Sequence, residues 1–126
     1  MTEPTLRIVT DRGLVQDDPS AFQLLVLLQE IRRGSENFLV AHRLSRPEHY
    51  FQTVRADAVR GRAQDCYGTR AASGYLIEYR DGSPDRHYQA ECATHTEVHD
   101  AVTGWAEGRD GWHEPYAWTR LDLGAR

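Results

Sequence analysis

The chain has 126 residues, of which 40% are hydrophobic and 27% charged. That mixture excludes a disordered tract and fits a single domain, residues 1–126, with a core of its own. A formal net charge of −4 argues against a dedicated nucleic-acid binder, which carries a net basic face, and suits a basic partner.

Leu6 to Val9 read as a short strand ended by the turn Asp11-Arg12-Gly13. DDPSAFQLLVLLQEIRRG then predicts a helix over residues 20–33, with Asp17 or Asp18 as cap, Pro19 in the first turn and Gly34 as stop. Its apolar residues Phe22, Leu24, Leu25, Val26, Leu27, Leu28 and Ile31 cover more than one face. A surface helix is polar on half its circumference, so this one is expected to be sandwiched, inside the fold or in a homodimer contact.

NFLVAHRL (Asn37 to Leu44) and HYFQTVRA (His49 to Ala56) predict two strands joined by a short proline-containing link. Residues 57–73 are polar, arginine-rich and without periodicity, which predicts a long loop. Gly74 to Arg80 and Arg86 to Cys92 form the next strand pair, turned by Gly82 and Pro84. Thr94 or Thr96 opens a second helix with Val98, Ala101, Val102 and Trp105 at i, i+3, i+4, i+7, and Gly108 stops it. YAWTRLDL closes as a last strand. The expected fold is α+β, with a mainly antiparallel sheet of five to six strands and two helices on one face.

Cys66 and Cys92 make no CxxC pair and point to no zinc site or disulfide framework, so reduced thiols are expected. MTEPTLRIVTDRG lacks the apolar stretch of a signal peptide, and LLVLL is too short to span a bilayer. Cytoplasmic residence, no membrane partner and no cofactor are the expectations. All 15 basic residues are arginine, so every cation is a planar fork suited to carboxylates.

Three constellations can carry chemistry. His95 and His99 are four apart on the second helix, a spacing compatible with a metal pair, but no third ligand stands at a telling distance. In EYRDGSPDRHY, Glu78 and His87 could serve as general acid and base with Tyr79 nearby, provided the hairpin register brings them together. The same residues as cross-strand contacts would only stabilise the hairpin. Asp81 and Asp85 bracket the turn and can bond its backbone or a partner. Trp112 and Tyr116, beside Asp110, are candidate recognition anchors, since aromatic residues dominate interface energies.

The run GYLIEYRDGSPDRHYQA, followed by a helix and GWAEGRDGWHEPYAWTRLDL, with the glutamine-containing strand YFQTVR before it, resembles the first-numbered family of immunity proteins from bacterial polymorphic-toxin systems. The likeness covers Glu36 to Leu123. It implies a protein that performs no chemistry and neutralises a cognate toxin, a deaminase or nuclease, by stoichiometric binding; it assigns no contact residue. The competing expectation is a small secondary-metabolism enzyme using histidine and glutamate in a pocket.

Overall fold

The computed structural model describes residues 3–56 and 74–121; the loop expected over residues 57–73, and Cys66 with it, lies outside them. Among the described residues seven strands and two α-helices follow one another: β1 Leu6–Thr10, β2 Val15–Asp17, α1 Ala21–Arg33, β3 Phe38–Arg43, β4 His49–Arg55, β5 Tyr75–Asp81, β6 His87–Cys92, α2 His95–Glu107 and β7 Thr119–Leu121, with a short 3-10 turn, Pro84–Arg86, between β5 and β6. The strands make one seven-stranded sheet in the order β2-β1-β3-β4-β5-β6-β7, every neighbouring pair antiparallel. The fold is α+β as expected, with one strand more than five to six. The addition is β2, which pairs Arg7 with Asp17 and Val9 with Val15.

Both helices begin with reciprocal caps. Ser20 accepts from the Gln23 backbone N–H, and the Gln23 side chain accepts in turn from the Ser20 backbone N–H. Thr94 and Glu97 repeat the arrangement on α2. Each such cap satisfies two backbone donors that the first turn leaves open. The expected capping role of Asp17 or Asp18 is therefore corrected. Asp17 is held in β2 by Arg7 at 2.7 Å. Asp18, with φ 46, turns the chain, and its carboxylate accepts from the backbone N–H groups of Leu6 at 2.9 Å and Thr5 at 3.1 Å. These bonds, led by that from Leu6, hold its carboxyl below the usual range.

Both helices lie on one face of the sheet. Leu24, Leu27, Leu28 and Ile31 of α1 and Val98, Ala101, Val102 and Trp105 of α2 meet Ile8, Leu39, Ala41, Phe51, Ile77 and Ala90 from the strands. Phe51 is the centre of this layer, its ring 5.8 Å from that of Trp105 and 6.0 Å from that of Trp112. The sandwiched helix is corrected in part. Among the described residues α1 is covered on one side only, and Phe22 and Val26, one turn apart, stay 72% and 39% exposed. Among the described residues no helix is long and apolar enough to cross a membrane.

Candidate functional site

The hairpin register decides what the dense stretch Glu78–Tyr88 can do. Arg80 stands opposite His87 and Glu78 opposite Gln89, while Gln52 of β4 stands opposite Glu78 from the other side. Side chains alternate across a sheet, so Gln52, Glu78, Arg80, His87 and Gln89 share the face turned away from the helices. The Glu78 carboxylate sits in the middle of that row. One oxygen accepts from the Gln52 amide at 2.9 Å and meets His87 Nε2 at 2.7 Å, and the other accepts from the Gln89 amide at 3.1 Å. Glu78 is 6% exposed and His87 1%.

Arg80 extends the network. Its Nε donates to His87 Nδ1 at 3.3 Å, and its Nη1 donates to Glu48 at 2.9 Å. Because an arginine only donates, Nδ1 must be the accepting nitrogen, so Nε2 carries the proton that goes to Glu78. The guanidinium also lies 5.2 Å from the Tyr50 ring, whose edge meets His87 at 5.8 Å. Burial pushes the Tyr50 hydroxyl above its ordinary value. Beside the network is a cavity of about 260 Å³, lined by Phe38, Val40, Gln52, Val54, Leu76 and Glu78 among others.

Glu78 and His87 thus meet, as the acid–base alternative requires. Tyr79 does not join them. It points to the helix side, where its ring lies 4.9 Å from Trp112, 4.9 Å from Trp118 and 5.1 Å from Tyr88. The residues that complete the network, Gln52, Arg80 and Gln89, were readable only as alternating polar positions, and their convergence depends on the register.

On α2, His99 Nε2 donates to the Ala21 carbonyl oxygen at 2.7 Å, which fastens the two helices together. Among the described residues no group of three or more His, Cys, Asp or Glu side chains is arranged to hold a metal ion.

Three of the recognition candidates lie together. Trp112, Tyr116 and Asp110 line a cleft of about 520 Å³ with Glu97, Asp100 and Arg109, between α2 and the loop that follows it. Gly104 makes this possible: a Cβ there would stand 2.8 Å from Trp112 Cβ, so only glycine lets the loop lie on the helix. Trp112 is half-buried, and Tyr116 donates to the Glu97 carbonyl at 3.2 Å. Glu97 and Asp100 were visible in the sequence only as neighbours of His95 and His99. Asp81 and Asp85 sit elsewhere, at the β5–β6 tip. Asp81 pairs with Arg86 at 2.6 Å, and Asp85 accepts from the Ser83 hydroxyl at 2.6 Å. The turn itself uses both carboxylates.

Cys92 is buried on the helix side. Desolvation, with Glu97 adding to it, pushes its thiol up to about 12, which keeps it protonated and inert. Compared with known proteins, the chain matches no family model, no curated protein and no solved structure.

Proposed function

We propose that this chain is an immunity-type binding protein that acts in the cytoplasm and neutralises a cognate bacterial toxin, a deaminase or nuclease, by stoichiometric complex formation. The cleft beside Trp112 carries this reading. It offers two aromatic side chains, Trp112 and Tyr116, ringed by the acidic groups Glu97, Asp100 and Asp110 against one arginine, Arg109, which Glu107 pairs at 2.6 Å. An enzyme that acts on a polyanion presents a basic surface to it, and an acidic cleft with aromatic anchors complements such a surface in charge and in contact area. The order of motifs from the glutamine strand to the Trp112 loop supports the same reading by resemblance. Phe22 and Val26 on α1 support a homodimer through that helix, which sedimentation of the wild type and of Phe22→Ser would reveal as a change in mass.

The test is co-purification with the product of a neighbouring toxin gene, followed by titration. A one-to-one complex is expected, weakened at least tenfold by Asp110→Arg and by Asp100→Arg, both at exposed positions. An affinity indifferent to both charge reversals, or protection against no encoded toxin, would overturn the proposal.

A second reading rests on the 2.7 Å contact between Glu78 and His87 beside the 260 Å³ cavity: a small secondary-metabolism enzyme using that pair as acid and base. Both nitrogens of His87 and both oxygens of Glu78 already hold partners, so turnover would require Arg80 to release Nδ1. A pH–rate profile abolished by His87→Gln in a folded variant would uphold this reading. A variant with unchanged turnover would dismiss it.

A further inference from the structure

A second cavity, of about 390 Å³, opens where the β3–β4 link, the end of β5 and the loop after α2 come together. Arg43, Arg46, His49, Arg80, Asp81 and His113 are among its lining residues. Two of these charges are answered within the fold, Arg80 by Glu48 at 2.9 Å and Asp81 by Arg86 at 2.6 Å. Arg43 and Arg46 have no carboxylate partner among the described residues. Arg43 is half-buried and donates from Nη2 to the Trp105 carbonyl at 2.6 Å, with its guanidinium stacked 4.4 Å from the Trp105 ring. Neither contact brings a negative charge. Arg46 stands exposed three residues on.

In a chain with an excess of carboxylates, the one carboxylate lining this cavity, Asp81, is held by Arg86, which leaves Arg43 and Arg46 as an uncompensated pair among the described residues. Burial first, and then the charge of Arg46, bear against the ionised form of Arg43. An arginine does not relieve this by losing its proton; a bound anion would relieve it. Arg43 is also preorganised. The stack and the carbonyl bond fix its plane and leave the remaining guanidinium N–H groups for a ligand, which lowers the ordering cost of binding.

We propose that this cavity is a binding site for the phosphate dianion of a small phosphorylated molecule. Two positive charges match a phosphomonoester, which carries about −1.5 to −2 at neutral pH, better than a single carboxylate. The planar fork of arginine suits its oxygens. The volume exceeds that of the phosphate group alone and leaves room for the molecule that bears it. His113 lines the same cavity and can add a further N–H donor, as can His49, whose Nδ1 lies 3.6 Å from Asp81. The proposal concerns a different surface from the acidic cleft and stands independently of the toxin-binding reading.

The test is calorimetric titration of the purified chain, at fixed ionic strength, with inorganic phosphate, glucose 6-phosphate and succinate. Saturable binding of a phosphate compound is expected, weakened at least tenfold in Arg46→Ala and unchanged in Arg33→Ala, which removes an exposed charge from the end of α1. Arg43→Lys keeps the charge but loses the fork and should also bind more weakly, with a thermal melt confirming its fold. Tighter binding of the sugar phosphate identifies an ester as the ligand, and tighter binding of inorganic phosphate identifies the free ion; either upholds the site. No saturable binding, binding indifferent to Arg46→Ala, equal loss in Arg33→Ala, or succinate bound as tightly as phosphate would overturn it.

Discussion

On the helix side of the sheet Phe51 sits among Trp105, Trp112 and Ala41; on the other side, one residue along the same strand, Gln52 hands a hydrogen bond to Glu78. Both places are buried, but different physics holds them. The first depends on area removed from water and on filled volume, which any apolar side chain of the right size supplies in part. The second depends on every donor having its acceptor, and a buried polar group gains little from pairing but loses much when stranded. The aromatic side should therefore respond to volume and the polar side to hydrogen-bond count.

The largest effect is expected from Phe51→Ala. Chemical denaturation should show a loss of about 3–5 kcal/mol, with Phe51→Leu recovering more than half. Glu78→Ala should cost about 3 kcal/mol, because it strands the amides of Gln52 and Gln89 and the ring N–H of His87 together. Glu78→Gln, nearly identical in shape, should still be destabilised measurably, which a pure volume effect would not produce. If Glu78→Ala and Glu78→Gln behave alike in the melt, the contrast between the faces is wrong.

Gly104→Ala should cost about 1–3 kcal/mol by forcing Trp112 off the helix, and a change in tryptophan fluorescence should accompany it. Arg86→Ala removes an ion pair with Asp81 in which both side chains are roughly half exposed. Its cost should stay within about 1 kcal/mol, a baseline for what charge is worth at the surface. At neutral pH no effect is expected from Cys92. Its folded-state thiol titrates far above the ordinary value of 9.0, so its contribution is complete below pH 9 and is lost only as the solution rises from there towards 12. Peptide-resolved alkylation at pH 8 should leave Cys92 unlabelled until the chain is unfolded.

Much of the helix side could be read from the sequence because its signals are local. The i, i+3, i+4, i+7 pattern from Val98 to Trp105 and the stop at Gly108 needed no knowledge of the rest of the chain. β2 escaped because three residues, Val-Gln-Asp, are too few to show alternation. The cap of α1 was misplaced because Asp17 and Asp18 are good cap formers that distant groups, Arg7 and the backbone of Thr5 and Leu6, had recruited. The last strand begins at Thr119 and not at Tyr116 because Tyr116 and Trp118 pack back on Glu97 and His113 instead, while Asp122 and Leu123 lie outside the described residues. The candidate sites were less legible. Glu78 and His87 stood out by composition, but whether they touch depends on the pairing of Arg80 with His87, and register is a property of two strands and a turn together. The arginines of the second cavity stood out least, since nothing along the chain says that Arg43 will find an indole instead of a carboxylate.

The rim formed by β2 bears on how the protein behaves at high concentration. A strand at the margin of a sheet is a template on which another chain can extend the ladder. Here that template is three residues long, and it ends where Asp18 takes a left-handed backbone conformation. Its aspartate, Asp17, is closed onto Arg7. An incoming strand would find only those three residues to pair with before the chain turns inward at Asp18, whose carboxylate is tied to Thr5 and Leu6, so the kink that the sequence disguises as a helix cap keeps this edge short.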